Sequence, residues 1–253
     1  MSTPHPRLSV EGHVARIVLD RPERHNALGA ADLSAFRAHL ATVEADPSIR
    51  VLVLTGSGQE TFCSGASLDQ IASGEMSGRV FETLTTDLAA VRVPTVCALN
   101  GSVYGGGTEI ALCCDFRIGV EGTRMAVPAA RLGICYAASG LKRFVDAIGP
   151  AATRRVMLAG EELDAQQMLA TGFVDRLVAR EDLDAMVDAL AQHLSGLAPL
   201  AIQAMKRILR GIATGALDDA EVEELVRSCE ASEDLKEGLL ARREGRAAEF
   251  RGR

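Results

Sequence analysis

Three consecutive glycines, Gly105 to Gly107, join an apolar segment to a helical run within P-T-V-C-A-L-N-G-S-V-Y-G-G-G-T-E-I-A-L-C-C-D at 94–115. Pro94 to Leu99 reads as a short buried strand, Asn100 and Gly101 as its exit, and Gly105 to Gly107 as a helix start without side chains. Each glycine weakens a helix by up to about 1 kcal/mol, so a triplet there implies a backbone that must stay bare. Free N–H groups at a helix N-terminus receive negative charge, including the oxyanion that develops on a reacting carbonyl. Glu109 follows two residues later, close enough to serve the same site.

A second junction repeats the pattern. Val51 to Thr55 is a β-branched, apolar strand, and after Gly56-Ser57-Gly58 the chain reads T-F-C-S-G-A-S-L-D over 61–69. Gly65 precedes Ala66, where a helix could begin. Two strand-to-glycine junctions about forty residues apart can each aim one N–H at a single carbonyl oxygen, which is the geometry of an oxyanion hole.

These residues resemble the enoyl-CoA hydratase/isomerase, or crotonase, superfamily. Its first signature, close to F-C-A-G-A-D-L, is matched at 62–68, and its second, N-G-x-x-x-G-G-G-x-E-L-A-L-x-C-D, at 100–115. The likeness continues through R-P-E-R-H-N-A-L at 21–28, L-A-P-L-A-I-Q-A-M-K at 197–206 and A-S-E-D-L-K-E-G-L-L-A-R at 231–242, ending in F-R-G-R. It spans nearly the whole chain in the family's order. The resemblance implies an α/β fold with a crotonase-type ββα spiral core over 1–195 and a helical region over 196–253 that covers the site and contributes to trimerisation. An acyl-CoA thioester is the implied substrate, CoA entering with it and no separate cofactor being needed, and a homotrimer or dimer of trimers is the implied assembly.

Carried over by position, the resemblance implies that the N–H groups of Ala66 and Gly106 form the oxyanion hole and that Glu109 is the first of two glutamates that handle water and the α-proton. The second glutamate belongs after the proline of a P-E-x-x-L-G segment, and this chain has P-A-A-R-L-G at 128–133, with Ala129 in its place. Ser67 replaces the aspartate of the first signature. Ser67, Leu68, Asp69 and Arg24 are the other implied substrate contacts, Arg24 near the CoA phosphates. An acid/base side chain contributes roughly 10²–10⁴-fold, so loss of one partner slows hydration without abolishing it. Each oxyanion donor contributes about 3–4 kcal/mol in comparable acyl chemistry. Enolate stabilisation with enoyl-CoA hydration is therefore the primary expectation. The better-known isomerases place their base where Ala129 stands. L-G-I-C-Y at 132–136 resembles L-G-x-x-Y of methylmalonyl-CoA decarboxylases, in which the tyrosine contacts the departing carboxylate and the second glutamate is absent. Decarboxylation, isomerisation and acyl-CoA binding without catalysis remain open beside hydration.

Plainer readings stand beside these. Glu109 could simply complement the helix dipole, Tyr136 pack its ring in a loop with its hydroxyl in solvent, and Arg24 be a solvated surface charge. Asp115 orients a turn, while Cys113 and Cys114 read as buried small hydrophobes.

Composition excludes several classes. With 47% hydrophobic and 24% charged residues, 253 residues can bury a single large core. A net charge of −7 and 4% aromatics, without a basic stripe, argue against nucleic acid. Cys63, Cys97, Cys113, Cys114, Cys135 and Cys229 show no C-x-x-C spacing, so neither zinc nor a disulfide framework is expected. No apolar run suits a signal peptide or membrane span, which makes a cytoplasmic protein the expectation. Gly101 to Gly106 is followed by Gly107 rather than lysine, and G-x-G-x-x-G is missing, so no nucleotide-binding loop is read.

Along the chain, Val14 to Asp20 reads as strand, Ala30 to Ala45 as helix, Val51 to Thr55 as strand, Met76 to Val91 as helix and Thr171 to Val178 as a returning strand. Such alternation favours parallel pairing. Helices dominate after Gly149-Pro150, with Leu183, Met186, Val187, Leu190, Ala191 and Leu194 on one face, and further helices at Ala201 to Leu209 and Val222 to Val226. The final A-R-R-E-G-R-A-A-E-F-R-G-R reads as a charged, frayed end.

Overall fold

The computed structural model describes residues 6–253; the M-S-T-P-H start weighed above for a signal peptide lies outside the described residues. Strand β1 (Pro6–Glu11) pairs antiparallel with β2 (Val14–Leu19), whose alternating burial places Ala15, Ile17 and Leu19 in the core. Helix α1 (Ala30–Ala45) buries Leu33, Phe36, Leu40 and Val43, spaced at three or four residues as one apolar face requires. The chain then repeats one unit. Strands β3 (Val51–Gly56) and β4 (Thr61–Cys63) lead to α2 (Leu68–Ala72) and α3 (Gly78–Ala90); β5 (Thr95–Leu99) and β6 (Ser102–Tyr104) lead to α4 (Gly106–Leu112); β7 (Phe116–Val120) and β8 (Arg124–Ala126) lead to α5 (Ala138–Met157).

In each repeat the first strand joins a six-stranded sheet and the second a four-stranded sheet. The large sheet runs β1-β2-β3-β5-β7-β10, with β10 (Arg176–Val178) parallel to β7. The small sheet runs β4-β6-β8-β9, with β9 (Leu163–Asp164) antiparallel to β8. Parallel pairing of β2, β3, β5 and β7 buries both faces, and β3 and β5 are accordingly continuous apolar runs. One face packs against α1, α3 and α4, the other against α7 (Leu183–Ser195) through Leu183, Val187, Ala191 and Leu194. The ββα spiral and the alternating layout expected from the sequence are present.

Two expectations change. Thr171 to Val178 is not one strand: α6 (Ala165–Thr171) ends at Thr171, Gly172 caps it at φ 82°, and only Arg176–Val178 pairs. Phe173 and Val174 are apolar because they fill the core between the two elements. Nor is the C-terminus frayed. After α8 (Pro199–Thr214), α9 (Asp219–Ala231) and α10 (Glu233–Glu244), the chain folds back, and the backbone N–H groups of Arg251 and Gly252 donate to the buried Asp234 carboxylate at 2.7 and 2.8 Å. Arg50 holds the Phe250 carbonyl at 2.8 Å, and Lys206 of α8 donates to Asp115 Oδ2 at 2.6 Å. That carboxylate also receives Thr95 N and Oγ1, which explains Asp115 as a tie between β5 and α8. No single helix among the described residues is long and apolar enough to cross a membrane.

The glycine triplet is required by contact as well as conformation. Gly105 sits at φ 51°, ψ −127°, which side chains rarely adopt, and a Cβ on Gly107 would lie 2.3 Å from the Cys63 carbonyl oxygen. Gly107→Ala should therefore destabilise the fold by about 1–3 kcal/mol through overpacking against backbone. At about 2–4 °C per kcal/mol this is a fall of several degrees in Tm by calorimetry. Gly78→Ala, in the first turn of α3 where an added Cβ meets nothing within 4 Å, should leave Tm unchanged or raise it.

Candidate active site

The small sheet sets the site. Parallel pairing places Thr61 beside Ser102 and Cys63 beside Val103, so the chain leaves β4 and β6 at one edge and in one direction. Gly65, at φ 88°, then approaches the start of α4 so closely that a Cβ on it would lie 2.5 Å from Gly106 N. Residues 26–28 clamp this junction from outside. Buried Asn26 donates to the carbonyls of Thr61 and Phe62 at 2.9 and 3.1 Å, Leu28 N donates to Gly65 O, and Ser67 N donates to Leu28 O, both at 2.8 Å. The motif at 21–28 thus holds the first junction against the second.

Neither Ala66 N nor Gly106 N donates to any group among the described residues, and both residues line a cavity of about 350 Å³. Two unengaged N–H donors therefore stand at backbones in van der Waals contact. Leu68, Ile71, Phe81, Leu132 and Ile134 give the cavity an apolar wall suited to an acyl chain. Ala129 begins a 3₁₀ turn, Ala129–Leu132, and presents its methyl to the same space.

Glu109 lines this cavity from the first turn of α4 and is only 5% exposed. Burial is the largest influence on its carboxyl and pushes it above the ordinary glutamate range. Arg143 of α5 opposes that shift, with Nη1 donating to Glu109 Oε1 at 2.7 Å, and a hydrogen bond with Thr85 of α3 acts in the same sense. Glu82 of α3 also lines the cavity, and its charge raises Glu109 further. Gly140 lets α5 approach, since a Cβ there would lie 3.0 Å from the Glu109 carboxyl group.

Tyr136 lines the cavity and packs edge-on against Phe144, ring centroids 6.1 Å apart. Its ring is part-buried against the core. Burial first, then the Glu109 charge, pushes its ionisation well above the ordinary phenol range, with Thr108 acting in the opposite sense. The ring packing expected of a partly buried tyrosine is present, and the residue also borders the cavity. The other expected contacts are dispersed. Leu68 lines the cavity, Ser67 caps α2 without a side-chain hydrogen bond, and Arg24 and Asp69 form an exposed ion pair at 3.7 Å. None of Arg24, Ser67 or Asp69 lines the cavity.

Arg143, Thr85, Ser139 and Glu82 escaped the sequence reading. They lie on α3 and α5, about twenty-five to thirty-five residues from Glu109 in sequence, and no short motif couples them to it. The available signal was helical spacing, Glu82 with Thr85 and Ser139 with Arg143, which identifies a shared face without its partner.

Residues 9–253 match the family model described as enoyl-CoA hydratase/isomerase. Carnitinyl-CoA dehydratase from Proteus mirabilis is 34% identical, over 97% of this chain and 98% of that protein. The crystal structure of an enoyl-CoA hydratase from Bacillus anthracis superposes with a TM-score of 0.91 at 26% identity, covering 98% of this chain and all of that one. An enoyl-CoA hydratase/carnithine racemase from Magnetospirillum magneticum gives 0.93 at 29% identity, covering 100% and 97%. With the spiral core, the paired junctions and a match over almost its full length, the chain belongs to the enoyl-CoA hydratase/isomerase, or crotonase, family of acyl-CoA enzymes.

Proposed function

We propose that this protein interconverts a 2-enoyl-CoA and a 3-hydroxyacyl-CoA, with Glu109 as the acid/base group. One observation carries the reading: the Glu109 carboxylate and the unengaged N–H groups of Ala66 and Gly106 face a single, largely apolar cavity. In the dehydration direction Glu109 removes the α-proton. The C–H electron pair moves toward the thioester, whose oxygen gains negative charge between the two N–H donors. The Cα–Cβ double bond then forms as the β C–O bond breaks, and the hydroxyl leaves as water, the proton it takes up being balanced by the one Glu109 has removed from Cα. Hydration is the reverse. CoA enters with the substrate, and the reading needs no other cofactor. The name of the carnitinyl-CoA dehydratase relative supports this reaction type, since dehydration and hydration share one transition state.

A raised carboxyl suits this role. A base that removes a proton from carbon works better as its own proton affinity rises, until it is no longer ionised at working pH. The Arg143 ion pair favours the charged form of Glu109 while burial strengthens it as a base. Decarboxylation is the second reading, favoured by Tyr136 in the cavity wall and by Ala129. It would bring a substrate carboxylate toward Glu82 and Glu109, with Arg79 as the basic residue on the cavity wall to offset them.

Homotrimeric assembly, or a dimer of trimers, is part of this proposal. All cavity-lining residues fall between Ser64 and Ala137, so α8 to α10 of the same chain supply none. Met205, Leu209, Ile212 and Leu239 of these helices are more than half exposed. An apolar surface of this kind suits a second copy. Sedimentation velocity should give three or six copies; a monomer at micromolar concentration would exclude that assembly.

Mass spectrometry of crotonyl-CoA incubated with the protein should reveal a gain of one water, about 18 mass units, with Glu109→Ala slower by roughly 10²–10⁴-fold. Loss of CO₂ from methylmalonyl-CoA instead would select the decarboxylase. Equal acyl-CoA affinity of both proteins without turnover of any thioester would select a non-catalytic binder.

The pH dependence tests the Glu109 environment. With 3-hydroxybutyryl-CoA, kcat/KM should fall as pH drops through the Glu109 ionisation, at a value above the ordinary glutamate range. Arg143 holds that value down, so Arg143→Ala should move the acid limb to higher pH.

A further inference from the structure

Helices α3 and α5 meet beside the cavity as two polar rungs. On α3, Glu82 and Thr85 are three residues apart; on α5, Ser139 and Arg143 are four apart, so each pair shares a helix face. The inner rung joins Arg143 to Glu109 at 2.7 Å and to Thr85 Oγ1 at 3.4 Å. The outer rung joins Ser139 Oγ, as donor, to Glu82 Oε1 at 2.6 Å. Glu82 makes no ion pair among the described residues, and its Oε2 has no protein partner there. It is partly buried, lines the same cavity as Glu109, and lies near enough for its charge to act on Glu109.

Glu82 therefore presents to the cavity a carboxylate that is oriented by one hydroxyl and keeps one oxygen without a protein partner among the described residues. Ala129, which lines the same cavity, offers only a methyl group where the resemblance places the second glutamate.

We propose that Glu82, held by Ser139, is the second carboxylate of this site and serves the water side of the reaction while Glu109 serves the α-carbon. This rests on the hydration–dehydration reading above. During hydration Glu82 takes a proton from water as the water oxygen bonds to Cβ. The π electrons of the Cα–Cβ bond move into the thioester enolate, and Cα collapses onto a proton from Glu109. One water is consumed, one C–O and one C–H bond form, and a proton passing from Glu82 to Glu109 through solvent restores both groups. In the reverse direction Glu82 protonates the departing hydroxyl. Glu82 thus replaces, from another helix, the carboxylate missing at Ala129.

The test uses the full-length protein and crotonyl-CoA, with butyryl-CoA as a binding probe that cannot be hydrated. Glu82→Gln should keep wild-type butyryl-CoA affinity in calorimetry and a wild-type Tm, while kcat for hydration falls by roughly 10²–10⁴-fold. Ser139→Ala should lower kcat less and leave KM unchanged. The decisive variant adds Ala129→Glu to Glu82→Gln: a carboxylate returned to the cavity from position 129 should recover at least tenfold in kcat. Hydration within twofold of wild type in Glu82→Gln, with Glu109→Gln inactive, would overturn the role of Glu82 and leave the hydratase reading intact. Loss of butyryl-CoA affinity or of Tm in parallel with turnover would make Glu82 a structural group and also overturn it. A wild-type protein that hydrates no enoyl-CoA overturns the hydratase reading, and the Glu82 assignment with it.

Discussion

Everything at the site depends on the near contact of two stretches of backbone, Gly65 and Gly106–Gly107. β4 and β6 run side by side in parallel register, so their continuations must leave together, and only residues without Cβ atoms can pass at this distance. The proximity has two consequences. It leaves the N–H groups of Ala66 and Gly106 unengaged beside the cavity, and it removes side chains that would otherwise fill that space. The fixed placing of these two N–H groups and the steric cost of Gly107→Ala thus have one physical origin. Asn26 stabilises the junction by donating to carbonyls of β4, which a buried loop could not otherwise satisfy.

The electrostatics are balanced around that point. Burying Glu109 with no cation would favour its neutral form, and pairing it fully in solvent would leave it a weak base. The structure lies between, with the Glu109 side chain 7% exposed and Arg143 17% exposed, joined by one short hydrogen bond. Removing one partner of such a pair costs more than the pair contributes, because a buried charge is left without its countercharge. Glu82 stands outside that pair, bound to a hydroxyl rather than a cation, and so retains the free carboxylate oxygen that Glu109 partly commits to Arg143.

Much of the fold was legible from period and punctuation. Val51 to Thr55 and Pro94 to Leu99 are strands within a residue of their expected limits, because runs buried on both faces are apolar apart from a threonine at one end. Thr171 to Val178 was misread for the converse reason. Its apolar residues serve a helix end, a core-filling turn and a three-residue strand in succession, and hydrophobicity alone cannot divide them. The charged C-terminus misled because its partner, Asp234, sits in another helix and binds backbone N–H groups, which carry no sequence signal.

By itself the sequence determined the local requirements: glycine where backbone must pass backbone, a carboxylate two residues beyond it, and a methyl at position 129. Those follow from conformational freedom and side-chain chemistry, both properties of residues in their own segments. Tertiary structure alone decided which side chains surround the carboxylate. Arg143 bonds it, and Thr85 and the Glu82–Ser139 pair stand alongside, because α3 and α5 pack beside α4, and such packing is set by whole apolar faces rather than by the polar residues it brings together.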